Sequence, residues 1–135
     1  MTPQASVYLV AAQEAISDAN RILAIGILRQ AARLAYYAQF YSAQALIFER
    51  TGKAAKTHKG VARQFHKLAA AEPALPRGIA SDLPAAYRFK EIADYDIGSA
   101  SGFTPDEVQD AISTAMRFVD SISRVLGTPQ GPQMS

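Results

Sequence analysis

A short basic segment carries both histidines of the chain and could form an anion-binding site. His58 and Lys59 follow Thr57, a residue type that commonly caps a helix N-terminus, and Arg63 lies one helical turn beyond Lys59. A helix N-terminus attracts anions because its first N–H groups have no partner within the helix. These residues therefore predict a site for phosphate. A capped helix with solvated lysines is the alternative interpretation.

A second group that could do chemistry follows Tyr87. Arg88 and Lys90 could hold phosphate, while Asp94 and Tyr95 could carry a proton. An unperturbed aspartate is a poor acid at pH 7, and an unperturbed tyrosine is a poor base. Arg88 or Lys90 could instead form a structural ion pair with a carboxylate such as Asp94, one helical turn further on.

Four aromatic side chains stand close together earlier in the chain, namely Tyr36, Tyr37, Phe40 and Tyr41. Rings of this kind can stack on nucleic-acid bases. They are more often part of a packed core, with the tyrosine hydroxyl groups at its rim. The sequence alone leaves both interpretations open.

Several kinds of chemistry lack the residues that they need. The chain has no cysteine, which excludes disulfides, thiolate metal sites and cysteine nucleophiles. It has no glycine-rich phosphate loop of the Walker or Rossmann type and no nucleophile elbow. Its two histidines, His58 and His66, would point about 80 degrees apart on a helix, which does not suit one shared metal ion. We therefore predict neither a metal ion nor a cofactor.

Apolar residues at steps of three and four predict that five helices position these groups. The predicted ranges are Gln4–Ala24, Leu28–Arg50, Thr57–Ala71, Ile79 or Pro84 to Ile92, and Pro105–Leu126. Gly98–Gly102 is predicted to be a turn. The fold class is therefore all-α. We expect a single domain over residues 1–135, in which residues 129–135 are a disordered tail.

The first and last helices show which faces should be buried. The predicted stripe of the first helix is Val7, Ala11, Ala15, Ala19 and Ile22. The predicted stripe of the last helix is Val108, Ile112, Ala115, Val119, Ile122 and Leu126. Thr104 and Glu107 have the spacing of a capping box at the start of the last helix. The heptad-like spacing of its stripe favours near-antiparallel packing in a bundle.

Charge is distributed unevenly along the chain. Residues 51–71 contain no acid, whereas residues 91–120 carry many acids against one arginine. A basic face favours phosphate-bearing partners, unless the two segments simply face each other or water. The N-terminus has no basic region ahead of an apolar run, and no apolar stretch is long enough to span a membrane. We expect a cytoplasmic protein with no membrane partner.

Three stretches, in this order, resemble the HEPN superfamily, and within it the small stand-alone bacterial and archaeal branch. The first is RLAYYAQFYSAQAL, from Arg33 to Leu46. The second is KTHKGV, from Lys56 to Val61, which follows Gly52. The third is YRFKEIADYD, from Tyr87 to Asp96, and a final helix that begins with proline follows it.

The resemblance implies a four- to five-helix up-and-down bundle that is often a homodimer. Members of the family are commonly encoded beside a minimal nucleotidyltransferase, as toxin–antitoxin or defence pairs. Many HEPN domains are metal-independent ribonucleases in which a histidine follows an arginine after four to six residues. Arg88 is followed at those positions by Ala93, Asp94 and Tyr95, and His58 lies one residue too far from Arg50.

Three functions follow as hypotheses. The first is a non-catalytic or weakly catalytic subunit that binds nucleotide or RNA and acts with a nucleotidyltransferase partner. Its predicted binding residues are Arg33, Tyr37, His58, Lys59, Arg63 and Arg88. The second is a metal-independent endoribonuclease toxin, with Arg88 or Lys90 on the phosphate and Asp94, Tyr95 or His58 as proton carrier. The third is a plain helical dimerisation or interaction module.

Overall fold

The computed structural model describes residues 1–95 and 104–127, and these form five helices with no strand. The helices are α1 (Pro3–Ala24), α2 (Leu28–Thr51), α3 (His58–Ala70), α4 (Ile79–Tyr95) and α5 (Pro105–Leu126). The predicted all-α fold is confirmed. Helix α4 begins at Ile79, the earlier of the two predicted starts, so that Pro84 lies inside the helix. The turn predicted at Gly98–Gly102 and the tail predicted at 129–135 lie outside the described residues.

Local capping interactions set the helix boundaries close to where the sequence predicted them. Thr57 precedes α3, and its Oγ1 accepts a hydrogen bond of 2.9 Å from the N–H of Gly60. Thr104 and Glu107 form a reciprocal capping box at the start of α5. Helix α2 ends at Gly52, whose φ of 77° is the left-handed conformation that glycine adopts without steric cost.

Helix α2 is the centre of the bundle and packs against each of the other four helices. A helix in that position is buried on several faces, which explains why small residues occur all around it. Its buried alanines let the neighbouring helices approach closely. They are Ala31, Ala32, Ala35, Ala38, Ala43 and Ala45.

The core has two parts, and the second part supports the candidate site. The first part joins α1, α2 and α5 and consists mainly of alanines with a few larger residues such as Leu9 and Ile112. The second part joins α2, α3, α4 and α5 around larger side chains, which include Tyr36, Phe65 and Phe118. The rings of Phe65 and Phe118 pack with their centroids 5.1 Å apart. This packing anchors α3 against the body of the bundle.

The buried stripe predicted for α5 is confirmed over its first five members, which are all buried, while Leu126 is partly buried. The stripe predicted for α1 is confirmed at Ala15 and Ala19, is only partly buried at Ala11 and Ile22, and is wrong at Val7. Val7 is 59% exposed, and the buried face begins instead with Ala5 and Leu9. Alanines occur on several faces of α1, so their spacing alone does not fix the rotation of the helix. The large side chain of Leu9 does.

In the described part of the chain, no helix is long and apolar enough to cross a membrane.

Candidate functional site

A buried glutamine fixes the loop that leads into α3. Gln44 on α2 donates from Nε2 to the carbonyl oxygen of Ala55 at 2.9 Å, and its Oε1 accepts from the N–H of Ala55 at 3.0 Å. Gln44 is only 5% exposed, so these two bonds satisfy groups that water does not reach. The loop before Thr57 is thereby attached to α2. Gln44 was not predicted from the sequence, although its position between Ala43 and the apolar run Ala45–Ile47 was an available signal.

His58, the first residue of α3, is held by a hydrogen bond and by aromatic rings. Its Nδ1 lies 2.6 Å from the hydroxyl oxygen of Tyr36 on α2. The centroid of its ring lies 5.0 Å from that of Phe40 and 5.3 Å from that of Tyr87. The imidazole is exposed on its outer side, yet its orientation is fixed from the inner side.

The hydroxyl of Tyr36 donates in this hydrogen bond when His58 is the neutral Nε2–H tautomer, and it accepts when Nδ1 carries the proton. Burial raises the pKa of Tyr36 well above its usual range, and the negative charges that would develop on Tyr37 and Tyr87, together with Glu91, raise it further. The phenol therefore keeps its proton at neutral pH. With the phenol as donor, a neutral His58 accepts at Nδ1 and carries its own proton on Nε2.

His58 and Arg88 line the same cleft, which has a volume of about 230 Å³ and lies between α2, α3 and α4. Lys59, Tyr36 and Tyr87 also line it, with an apolar floor of Ala62, Leu83 and Pro84. No acidic side chain is among these lining residues. Two cationic residues, an aromatic pair and an imidazole therefore line one space. No acid is among the lining residues, although Glu91 interacts with Tyr36 and Tyr87. We call this space the His58 cleft.

A separate network holds Arg33, Lys90 and Asp94. Asp94 accepts from Lys90 Nζ at 2.8 Å through Oδ2, and its Oδ1 lies 3.3 Å from Arg33 Nε. The hydrogen bond that Lys90 donates to Asp94 raises the pKa of Lys90, and this effect outweighs the lowering of the pKa by burial. The sequence left open whether Arg88 or Lys90 pairs with Asp94, and in the structure the partner is Lys90. The network joins α2 to α4 and leaves Asp94 neutralised by two cations.

The remaining predicted residues lie outside the His58 cleft. Tyr37 packs its ring against Tyr36, with centroids 5.3 Å apart, and against Tyr41 at 5.9 Å. Arg63 is exposed on α3 and is not a lining residue. Tyr95 is 79% exposed at the end of α4. Within residues 1–95 and 104–127, no three His, Asp or Glu side chains are grouped so that they could hold a metal ion.

The fold and the cleft together define a small helical-bundle domain whose basic, aromatic-lined cleft opens between its second, third and fourth helices. A family model for the HEPN domain matches residues 5–125, and the chain therefore belongs to the HEPN domain family. The family membership predicted from the sequence motifs is confirmed, as is the helical bundle that it implies. No match to the chain was found among curated proteins.

Proposed function

We propose that this HEPN protein is a non-catalytic or weakly catalytic subunit that binds nucleotide or RNA in the His58 cleft. The observation that carries the proposal is the convergence of Lys59 from α3 and Arg88 from α4 on one space that no acid lines. The guanidinium of Arg88 is suited to hold two phosphate oxygens at once, and Lys59 supplies a second positive charge. The ring of Tyr87 also lines the cleft, and Lys90 Nζ lies 5.6 Å from its centroid.

The hydrogen bond between Tyr36 and His58 favours binding over catalysis. A ribonuclease needs a base to accept the proton of the ribose 2′-hydroxyl group. In the neutral tautomer that accepts from Tyr36, Nδ1 is occupied by the hydroxyl and Nε2 carries the proton. The imidazole can therefore donate a hydrogen bond to a phosphate oxygen, but it has no free nitrogen to accept a proton. This supports a binding role for His58.

The proposal is tested by fluorescence anisotropy with a labelled single-stranded RNA oligonucleotide, with ATP as competitor. We expect Arg88→Ala and Lys59→Ala each to raise the Kd about tenfold, since each removes a charge-assisted contact. Arg124→Ala, which removes an exposed arginine on α5 outside the cleft, is the matched control and should leave the Kd unchanged. Equal affinities of the wild type and the three variants for RNA would reject the cleft as the binding site.

A partner protein is the second element of the proposal. The family resemblance implies a homodimer and a minimal nucleotidyltransferase, in a toxin–antitoxin or defence pair. Ile92 and Tyr95 support a protein contact near the end of α4, because they are 55% and 79% exposed although both are large and apolar or aromatic. Co-expression with the product of the adjacent gene, followed by light scattering on the purified species, tests both expectations. A monomer that forms no complex would remove this element alone.

The endoribonuclease remains a second candidate because His58 and Arg88 share one cleft. In that role Arg88 would stabilise the phosphate charge in the transition state, and His58 would carry the proton. Cleavage of RNA without added metal, lost in both His58→Ala and Arg88→Ala, would establish this function instead. The plain interaction module predicts that neither RNA nor ATP binds, and that charge reversal at Lys59 and Arg63 leaves the partner complex intact.

A further inference from the structure

A second cleft, of about 320 Å³, lies between α2, α4 and α5. It shares only Tyr36 with the lining of the His58 cleft. Five alanines form its walls, and their short side chains leave the space between the three helices unfilled. They are Ala32, Ala35, Ala85, Ala86 and Ala111. A space of this size falls within the range that small-molecule sites occupy.

Gln39 lines this cleft and has an unsatisfied acceptor. The residue is 1% exposed, and its Oε1 is buried without a hydrogen-bond partner among the described residues. Buried side-chain polar atoms nearly always have a partner, because an unpaired one loses its bonds to water and gains nothing in return. A ligand N–H group in the cleft would supply the missing donor once the Gln39 side chain turns toward it, because Oε1 is buried in the free protein.

The negative charge around the cleft favours a cationic ligand. Asp82, Glu107 and Asp110 line it, and no lysine, arginine or histidine does. Burial raises the pKa of Asp82, an effect that the positive charge of Arg117 only partly offsets. The carboxylate of Asp82 is therefore incompletely compensated in the free protein. The rings of Tyr36 and Phe89 also line the cleft, and the face of an aromatic ring attracts a cation.

We propose that this cleft binds a small organic ammonium ion. Its N–H groups bond to Oε1 of Gln39 and to the carboxylates of Asp82 and Asp110, and its hydrocarbon part packs against the alanine walls and Phe89. The site is distinct from the phosphate-binding surface of the His58 cleft, because its lining is acidic where the other is basic. The two proposals therefore succeed or fail separately.

The charge of the ligand is tested with three probes that share one ring, namely benzylammonium, benzyl alcohol and benzoate. Each is titrated into ¹⁵N-labelled protein and followed by NMR. Benzylammonium should shift the side-chain amide of Gln39 and the backbone amides of Ala35 and Ala111. Benzyl alcohol should bind about tenfold more weakly, and benzoate should not bind. Equal affinity for the ammonium and the alcohol would overturn the proposal, because the cleft would then recognise only the ring.

Two variants test whether Gln39 and Asp110 bind the ammonium ion. Gln39→Met keeps the size of the side chain but removes the acceptor, and Asp110→Asn removes a charge at an exposed position. Each should weaken benzylammonium binding about tenfold. Asp120→Asn, at an exposed position on the same helix outside the cleft, is the matched control. If Gln39→Met does not fold, Asp110→Asn decides, and an unchanged affinity in that variant overturns the proposal.

A lysine side chain of a second copy of this chain carries the same ammonium chemistry. The titration is therefore repeated at a tenfold higher protein concentration. A free small molecule as ligand predicts the same Kd at both concentrations. A Kd that rises with protein concentration would assign the cleft to a second copy and overturn the proposal, as would the absence of any shift at the lining residues.

Discussion

The hydroxyl oxygen of Tyr36 lies 2.6 Å from Nδ1 of His58, and this contact joins the buried centre of α2 to the first residue of α3. It fixes which nitrogen of the imidazole faces the His58 cleft. Because the phenol is buried and keeps its proton, the contact also determines what His58 can do there. When the phenol donates, His58 presents an Nε2–H donor to the cleft; when the phenol accepts, His58 presents a free Nε2 that can act as a base.

The tautomer of His58 is the first prediction. At a pH where the imidazole is neutral, we expect its proton on Nε2, because Tyr36 donates to Nδ1. Long-range ¹H–¹⁵N correlation spectra measure this directly. In Tyr36→Phe the hydroxyl donor is absent, and both neutral tautomers of His58 should be populated. A wild-type protein with the proton on Nδ1 would contradict the assigned direction of the bond.

Alkaline pH should weaken the contribution of Tyr36 to stability. Its pKa is raised in the folded protein, so its contribution is complete below the unfolded value of 10.0 and is lost as the pH rises above it. Lys90, whose pKa is also raised, loses its contribution in the same direction. Comparison with Tyr36→Phe isolates the tyrosine.

Urea unfolding at several pH values gives the required comparison. Below about pH 10 we expect the wild type to exceed Tyr36→Phe in free energy of unfolding by about 0.5–1.5 kcal/mol, the usual net value of one hydrogen bond. The difference should shrink above that pH. A difference that stays constant into the alkaline range would show that Tyr36 does not titrate as its burial implies.

The network around Asp94 should contribute more to the free energy of unfolding than an exposed ion pair does. Asp94→Asn leaves Lys90, whose side chain is 11% exposed, without its partner and should cost about 1.5–3 kcal/mol. Asp18→Asn breaks an exposed pair with Arg21, whose atoms lie 3.9 Å apart, and should cost about 0.2–0.5 kcal/mol. Urea unfolding measures both, and equal costs would mean that the Asp94 network is merely a surface feature.

Gln44 should matter for both stability and the site. Gln44→Met keeps the shape of the side chain but leaves the N–H and the carbonyl of Ala55 unpaired, at about 1–3 kcal/mol for each group. It should also weaken RNA binding, because the loop before His58 loses its attachment to α2. Gln64→Met, at an exposed position of α3, is the control. Wild-type stability and affinity in Gln44→Met would refute the role given to Gln44.

The helices and caps were predictable because their signals are local. Thr57, Gly52 and the Thr104–Glu107 box act within a few residues of their own positions. The face of α1 was mispredicted because alanines on several sides of that helix make different rotations look alike. Leu9 decides the rotation only through the helices that pack against it.

The full grouping of the charged residues depended in part on contacts between helices, which spacing along the chain does not give. The sequence predicted Arg33 and Arg88 as binding residues, and Lys90 as an alternative to Arg88 for holding phosphate. Lys90 and Asp94 lie one turn apart on α4, so that pair follows from spacing, whereas the packing of α4 against α2 adds Arg33 to it and leaves Arg88 in the lining of the His58 cleft. The bonds between Gln44 and Ala55 were missed for a different reason: they join α2 to the loop that directly follows it, and no spacing rule marks a side chain that turns onto that loop.

Chemical-shift mapping with RNA tests the central claim most directly. A short single-stranded RNA oligonucleotide is titrated into labelled protein, and the ring of His58 and the guanidinium of Arg88 are observed. We predict that both signals shift together with one Kd, that they do not shift in Arg88→Ala over the same range, and that Arg124 is unaffected. Saturable binding that shifts residues elsewhere, with His58 and Arg88 unchanged, would contradict the assignment of the His58 cleft as the RNA-binding site.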